Sequence, residues 1–450
     1  MRRKYYDNAT LKFTKKRFQI NIMSASTSII DEYNVNLGYH PSVPPLDIRL
    51  GITKSPLVSK KSVLPLRWGI LATGKAAHDF TQALKFLSQH LPHNIAAVGS
   101  RSMERSKAFA TRHNIPNAHG TYEELFDDST VDIVYIASLH PNHRTHAEMA
   151  LSKGKHVLVE KPMAMNAEDA AYLYDLGKRL NLFVGEGMWT RFFPAVEWTR
   201  MHLGDPSESN GTDVVPIGHV RVVHADFSID GDDVGPYPSD SLYSKESGGG
   251  SSWTVMPYVI GAALMPFGKE PDTIAAAGIL PNDDKVGDLA LGMTMTFIND
   301  NIGGNNNENN SSPPAHKSIA SGVVSYLAES SENTMYAAKF GRLTIGAPAH
   351  CPTSASLVRK GTGRGNGKTS DAPGSDNNVS CTVIFPLPTI TSVIEESGGI
   401  RLPNSMGFIY QAEAVRRLIV AGCTTFPQWT PEESIGCIRT IEHILNQIKE

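Results

Sequence analysis

At 450 residues with a formal net charge of −3, the chain is long enough for two or three domains, since one hydrophobic core rarely grows past roughly 250–300 residues. Its dispersed charge gives no broad field for nucleic acid or an anionic membrane, which leaves a small molecule as the expected partner. The four cysteines, Cys351, Cys381, Cys423 and Cys437, form no C-x-x-C pair, which argues against a zinc site or disulfide framework and for reduced thiols inside a cell.

Residues 1–64 stand apart. Between Met1 and Ile30, seven Lys or Arg face the single acid Asp7, which reads as a disordered basic extension or an organelle transit peptide. The expected compartment is the cytoplasm, with mitochondrial targeting as the alternative. From Leu66 short apolar runs alternate with helical stretches. The strand candidates are Arg67–Ala72, Ile95–Gly99, Val131–Ala137, Lys155–Val159 and Leu182–Gly185. Thr121-Tyr122-Glu123-Glu124 has capping-box spacing, and Asn166 is a candidate N-cap for a helix over Ala167–Leu180. This pattern predicts an α/β fold with a doubly wound parallel sheet over 65–187, whose strand ends gather at one edge. After Met188 strand-like runs follow one another at Gly218–Ile229, Leu289–Ile298, Ser318–Leu327 and Met335–Ile345. They predict a sheet-rich second domain over 188–450, closed by helices at Gly407–Ala421 and Pro431–Ile448. Low-complexity inserts near 299–317 and 360–378 hold too few apolar residues to offset ordering entropy and read as surface loops. The longest candidate membrane run, Val255–Phe267, is shorter than the roughly 20 residues of a span and contains two prolines.

Ala72-Thr73-Gly74-Lys75-Ala76-Ala77 reads as A-x-G-x-x-A, a degenerate dinucleotide turn. There Ala72, Thr73, Gly74, Ala76 and Ala77 would let backbone amides and a helix N-terminus approach a pyrophosphate. The second strand ends at Gly99-Ser100-Arg101, with Arg105 one turn later. An NAD site usually has an acid there, whereas Ser100, Arg101 and Arg105 suit the 2′-phosphate of NADP. The competing reading of the two arginines is an ordinary solvated helix start.

Lys161 follows the apolar run His156–Val159 and precedes Pro162, which favours an extended backbone at the end of a parallel strand. A lysine so placed can donate to a hydroxyl or to a nicotinamide carboxamide; equally, it can snorkel at a strand end. His140, His143 and His146 raise the question of a metal, but their 3-residue steps scatter ligands around a helix and no other ligand cluster accompanies them, so no metal is expected.

Several stretches together carry a resemblance: Arg67-Trp68-Gly69-Ile70, Tyr122-Glu123-Glu124-Leu125, Val131–Ala137, Gly154–Val159 with Glu160-Lys161-Pro162, and Trp189-Thr190-Arg191-Phe192-Phe193-Pro194. On these the chain resembles the glucose-fructose oxidoreductase / inositol dehydrogenase (Gfo/Idh/MocA) family, in its dimeric dihydrodiol dehydrogenase and fungal NADP-dependent D-xylose dehydrogenase branch. The resemblance implies a Rossmann domain followed by an α+β domain with an open, largely antiparallel sheet, often a dimer interface. A homodimer is therefore expected. It also implies that Glu160, Lys161, Ser138 and His140 lie at the cofactor, that His143, Trp189, Arg191 and Phe193 shape the substrate pocket, and that Tyr258 is the acid-base group, its pKa lowered by Lys161. In Gly249–Tyr258 the chain departs from the branch: Thr254 stands at an aspartate position, and Pro257 precedes Tyr258. The implied activity is NADP-dependent hydride removal from a carbinol carbon of a sugar or diol. The alternative is a cofactor-binding regulator of the same fold, since the family includes a fungal transcriptional repressor.

Overall fold

The computed structural model describes residues 42–52, 65–204, 214–298, 317–360, 379–390 and 392–449. Most of the basic extension and nearly all of both low-complexity inserts lie outside them.

The described chain begins with a short helix, α1 (Leu46–Arg49), and then builds the first sheet. In order come β1 (Leu66–Leu71), α2 (Lys75–Ser88), β2 (His93–Gly99), α3 (Met103–His113), β3 (Asn117–His119), α4 (Tyr122–Asp127), β4 (Ile133–Ile136), α5 (His143–Ser152), β5 (His156–Glu160), α6 (Ala167–Leu180) and β6 (Val184–Gly187). The strands pair in parallel in the order β3-β2-β1-β4-β5-β6. Helices cover both faces, so β4 is buried along its whole length and reads as an unbroken apolar run. Strand order reverses direction between β1 and β4, the crevice where open α/β sheets hold ligands. Two helix starts form as expected. Thr121 and Glu124 make a capping box, and Asn166 accepts from the Asp169 amide. The three-residue β3 is too short to leave a sequence signal.

After α7 (Pro194–Met201) come β7 (Val220–Ser228), α8 (Gly231–Val234), α9 (Ser251–Thr254) and α10 (Met256–Leu264). The second sheet continues through β8 (Thr273–Ile279), β9 (Ala290–Ile298), β10 (Lys317–Ser325), β11 (Thr334–Ala338), β12 (Gly341–Ile345), β13 (Ser354–Arg359) and β14 (Val379–Ile384). Its order is β14-β13-β12-β11-β7-β10-β9-β8, antiparallel apart from the β7–β10 pair. The run expected as one strand over Met335–Ile345 is a hairpin, because the chain turns at Lys339-Phe340 and pairs back on itself. β8 escapes a sequence reading because it is alanine-rich and mostly exposed.

Past a short helix α11 (Ser392–Glu396), α12 (Phe408–Val420) and α13 (Pro431–Gln447) bring the chain back to the first sheet, against α2 and α6 respectively. An ion network fixes this return. Glu413 of α12 has no exposed surface; it accepts from Arg416 (2.6 and 2.8 Å) and Arg417 (2.7 Å), and meets His93 Nε2 at the start of β2 (2.9 Å). Arg417 also reaches Asp47 of α1 (2.9 Å), and Val43, Leu46 and Leu50 join the core. Residues 42–52 therefore depart from the disorder expected of 1–64. Three apolar anchors and an ion pair tie them to the core. Among the described residues no helix is long and apolar enough to cross a membrane.

Candidate active site

The first edge of the site is the turn between β1 and α2. Ala72 has φ 78°, a left-handed conformation ordinarily given to glycine, and its amide donates to Gly99 O (2.9 Å). Gly74 is the opposite case. Its φ of −77° needs no glycine, and a Cβ there would meet no atom within 4 Å. Nothing inside the protein explains the missing side chain, so the open space faces outward at the N-terminus of α2, which has no side-chain cap. That arrangement fits a pyrophosphate held by the first amides of α2, those of Lys75, Ala76 and Ala77. Beyond β2, Arg101 and Arg105 are exposed, as a 2′-phosphate would require. The buried Ser100 hydroxyl donates to Ser102 O (2.9 Å) and meets Ser106 Oγ (2.8 Å), which shapes the turn into α3.

The loop after β4 brings Ser138 and His140 to the same edge. His140 Nδ1 lies 2.9 Å from Gly248 O, which ties the loop to the second half of the chain. Burial, then His143 and Lys161, push its pKa down to about 3, so it donates as a neutral ring. His143, expected at the substrate pocket, is enclosed by the protein. It has no exposed surface, and its ring spans Pro162 O (2.7 Å) and Ser138 O (3.0 Å), bracing the lysine-bearing segment. His146 turns to Ser138 Oγ (2.9 Å). Among the described residues no group of three or more His, Cys, Asp or Glu could hold a metal ion.

β5 delivers Glu160 and Lys161 to the centre of this edge. The Tyr135 hydroxyl of β4 donates to Glu160, whose pKa burial nevertheless raises. Lys161 Nζ donates to Thr254 O (2.6 Å) and lies 5.0 Å from the centroid of the Tyr258 ring. Burial makes its ammonium easier to deprotonate, against the charges of Glu160 and Glu186. Pro257 does not expel Tyr258. It sits in the first turn of α10, where a helix has no use for the missing amide, and the segment breaks at Val255 into α9 and α10. Asp288 clamps α9 by accepting from Ser251 Oγ (2.5 Å) and from Ser252 N and Oγ (2.9 and 2.5 Å). Thr254 thus serves Lys161 through its carbonyl.

The Tyr258 hydroxyl accepts from Trp189 Nε1 (3.1 Å), and Trp189 stacks on Phe408 (4.3 Å between centroids). Burial, then the charge of Glu160, drive the Tyr258 phenol well above its usual value near 10. This is opposite to the expected lowering by Lys161, whose Nζ faces the ring and not the hydroxyl. Two further residues expected at the pocket are largely internal. Arg191 is buried in a bridge to Glu433 (2.9 Å), with Gly261 O accepting at 2.7 Å. Phe193 has no exposed surface and packs so tightly that a Cβ on Gly407 would lie 2.0 Å from its ring. Arg191 still borders the pocket beside Tyr258, whereas Phe193 supports its wall from behind. Beside Tyr258 is a cavity of about 30 Å³ bordered by Thr190, Asp226, Glu332 and His350.

Sequence reasoning missed Glu186, Asp288, Glu332 and His350. Glu186 accepts from the Met163 amide (2.9 Å), Trp429 Nε1 (2.6 Å) and Ser434 Oγ (2.5 Å). A lone acid in the buried strand Val184–Gly187 was a usable signal for it. The other three sit in no motif.

Comparison with known proteins gives a consistent picture. The profile of the oxidoreductase family with an NAD-binding Rossmann fold, GFO_IDH_MocA, matches residues 66–188. The trans-1,2-dihydrobenzene-1,2-diol dehydrogenase of Danio rerio is 32% identical over 362 residues, 80% of this chain and 90% of that protein. Its counterpart in Sus scrofa is 30% identical over 82% of this chain and 93% of that protein. A match to the Xenopus tropicalis protein reaches 36% but spans 48% of this chain and 61% of that protein. Among solved structures, levoglucosan dehydrogenase with NADH and levoglucosan superposes with a TM-score of 0.66 at 14% identity, covering 86% of this chain and 97% of that one. KijD10, a 3-ketoreductase from Actinomadura kijaniata with NADP, gives 0.62 at 18% identity, covering 85% and 98%. At such identities the two structures speak for the fold.

Proposed function

This chain belongs to the Gfo/Idh/MocA family of oxidoreductases, and we propose that it is an NADP-dependent dehydrogenase acting on a carbinol carbon of a sugar or diol. The observation that carries this reading is the convergence of Lys161 and Tyr258, 5.0 Å apart across the junction of the two sheets, beside the glycine turn that fits a dinucleotide. Exposed Arg101 and Arg105 favour NADP over NAD. Lys161, Glu160, Ser138 and His140 would hold the nicotinamide end, and the amides after Gly74 the pyrophosphate. When bound, the nicotinamide supplies the hydride acceptor.

The chain's own residues handle the proton. Tyr258, kept as a phenol, meets the substrate oxygen and is positioned by Trp189. For the Tyr258 oxygen to take the carbinol proton, its phenol proton must leave to solvent, and the Lys161 ammonium facing the ring stabilises the phenolate that remains. Oxidation should therefore accelerate as pH rises toward the raised Tyr258 pKa. With D-xylose the product is a lactone; with a trans-dihydrodiol it is a catechol. The regulatory reading is not favoured, because the side chains needed for turnover come together. A homodimer through the outer face of the second sheet, where Ile319 and Val323 are 44% and 51% exposed, completes the reading.

The test is to incubate purified protein with NADP and a panel of aldoses and diols and follow NADPH. Turnover with at least one is expected, with Tyr258→Phe slower by about 10²–10⁴-fold. Absence of NADPH with every donor, or full activity of the variant, overturns the proposal.

A further inference from the structure

The wall facing Tyr258 holds a second polar group with no task in the chemistry above. His350, in the loop between β12 and β13, is fixed from several sides. Its amide and its Nδ1 both meet Glu332 Oε1, the amide at 3.2 Å. Its carbonyl accepts from Thr190 Oγ1, and its ring stacks on Phe227 (4.4 Å, 13° between planes). Glu332 is itself held in a left-handed backbone, φ 47°, which costs about 1–2 kcal/mol for a residue with a Cβ. Asp226 holds it there by accepting the amides of Glu332 (2.8 Å) and Asn333 (3.1 Å). Strain of this kind, kept by surrounding hydrogen bonds, marks a side chain whose direction matters.

The carboxylate on Nδ1 makes that nitrogen the donor and leaves Nε2 as an acceptor. What faces Nε2 is Cys351 Sγ at 3.3 Å, and a thiol is a weak donor. The imidazole lies 5.4 Å from the Tyr258 ring and 6.0 Å from the Trp189 ring, centroid to centroid. These are the two side chains whose polar atoms meet where the reacting oxygen is proposed to sit. The other rings packed against Trp189 and Tyr258, Phe193, Phe227 and Phe408, carry no acceptor.

We propose that His350 is a specificity-determining residue whose Nε2, oriented by Glu332, accepts a hydrogen bond from a substrate hydroxyl adjacent to the one Tyr258 meets. The site thereby selects vicinally hydroxylated substrates over alcohols with one hydroxyl. A hydroxyl is a stronger donor than the thiol and displaces it; a substrate without one leaves the imidazole facing only sulfur. Sites built to bond a substrate hydroxyl reject analogues lacking it by up to about 10⁴–10⁵, and the thiol as a substitute partner lowers the expected factor here to the order of 10².

This inference rests on the dehydrogenase reading, and its test separates the two. With NADP, kcat/KM is compared for trans-cyclohexane-1,2-diol and cyclohexanol, which share a ring and differ by one hydroxyl. The protein should prefer the diol at least about 100-fold. His350→Phe, which keeps the stack on Phe227, should bring the ratio within about 3-fold, and Glu332→Gln should lower it about 10-fold. An unchanged ratio in His350→Phe overturns the inference. If neither alcohol is oxidised, calorimetric binding of D-xylose to the NADP-loaded protein replaces the rate. A tenfold or greater loss of affinity in His350→Phe then supports the role of His350 although the dehydrogenase reading fails, and equal affinity overturns it.

Discussion

The two halves of the site are built in different ways. On the side proposed to hold the cofactor, each group comes from the end of a strand in one parallel sheet: Ala72 and Gly74 after β1, Arg101 after β2, Ser138 after β4, Lys161 after β5. A β-α-β chain places all of them at one edge by topology alone, so each can be recognised from its own short stretch of sequence. On the substrate side, Trp189, Tyr258, Glu332 and His350 come from four separate loops or helices and meet only because the second sheet and the returning helices bring them together. Local motifs encode position when the fold repeats; where it does not, position is encoded in packing.

The largest expected effect tests whether the returning helix is what couples the halves. Glu413→Gln leaves Arg416, Arg417 and His93 in the core without their common partner, and breaking such a buried pair costs about 3–5 kcal/mol. Burial alone would raise the Glu413 pKa, but the two guanidiniums and His93 outweigh it and hold the carboxyl well below 4.5. Its contribution is therefore present above about pH 4.5 and lost only as the pH falls through that depressed value. Chemical denaturation at neutral pH should show the loss, with 42–52 released to proteolysis because Asp47 shares Arg417. A loss below about 1 kcal/mol would mean that the halves are held together elsewhere.

A smaller effect is confined to the cofactor side. Arg101→Ala removes one charge-assisted contact to a 2′-phosphate, worth about 1.5–3 kcal/mol, so the NADP dissociation constant should rise roughly 10- to 100-fold while that for NAD stays within about 3-fold. Equal weakening of both would return Arg101 to an ordinary helix start, and the cofactor preference would need another source.

The same contrast explains what could be read from the sequence. Five of the six strands of the first sheet, the capping box at Thr121 and the N-cap at Asn166 follow from periodicity and local chemistry. Tyr258 could be named as a site residue, but its environment could not: the rise in its pKa comes from burial and from Glu160, far away in sequence. The resemblance places His143, Arg191 and Phe193 at the pocket; Arg191 borders it while bridging to Glu433, and the side chains of His143 and Phe193 turn inward to Pro162 and Gly407. Residue type and strand position are local; side-chain direction in an irregular loop depends on what packs against it. His350 shows the converse, since nothing within its own stretch points to Glu332, and only the hairpin geometry of β11 and β12 joins them.

The smallest effect tests how local the cofactor side is. Ala72 adopts φ 78°, and a residue with a Cβ there loses about 1–2 kcal/mol relative to glycine. Ala72→Gly removes that strain but loosens the unfolded chain by roughly 0.5–1 kcal/mol. It also gives up part of the roughly 0.8 kcal/mol of one buried methyl, since Ala72 packs, partly exposed, against the core of the first sheet. The balance is a gain of up to about 1 kcal/mol, or on the order of 1 °C in a chain of this length, with NADP affinity unchanged within about 3-fold. A rise in melting temperature would mean that the turn is set by its own backbone, as the motif implies. A fall would mean that the methyl is held by its neighbours, and that even this shortest of motifs depends on packing.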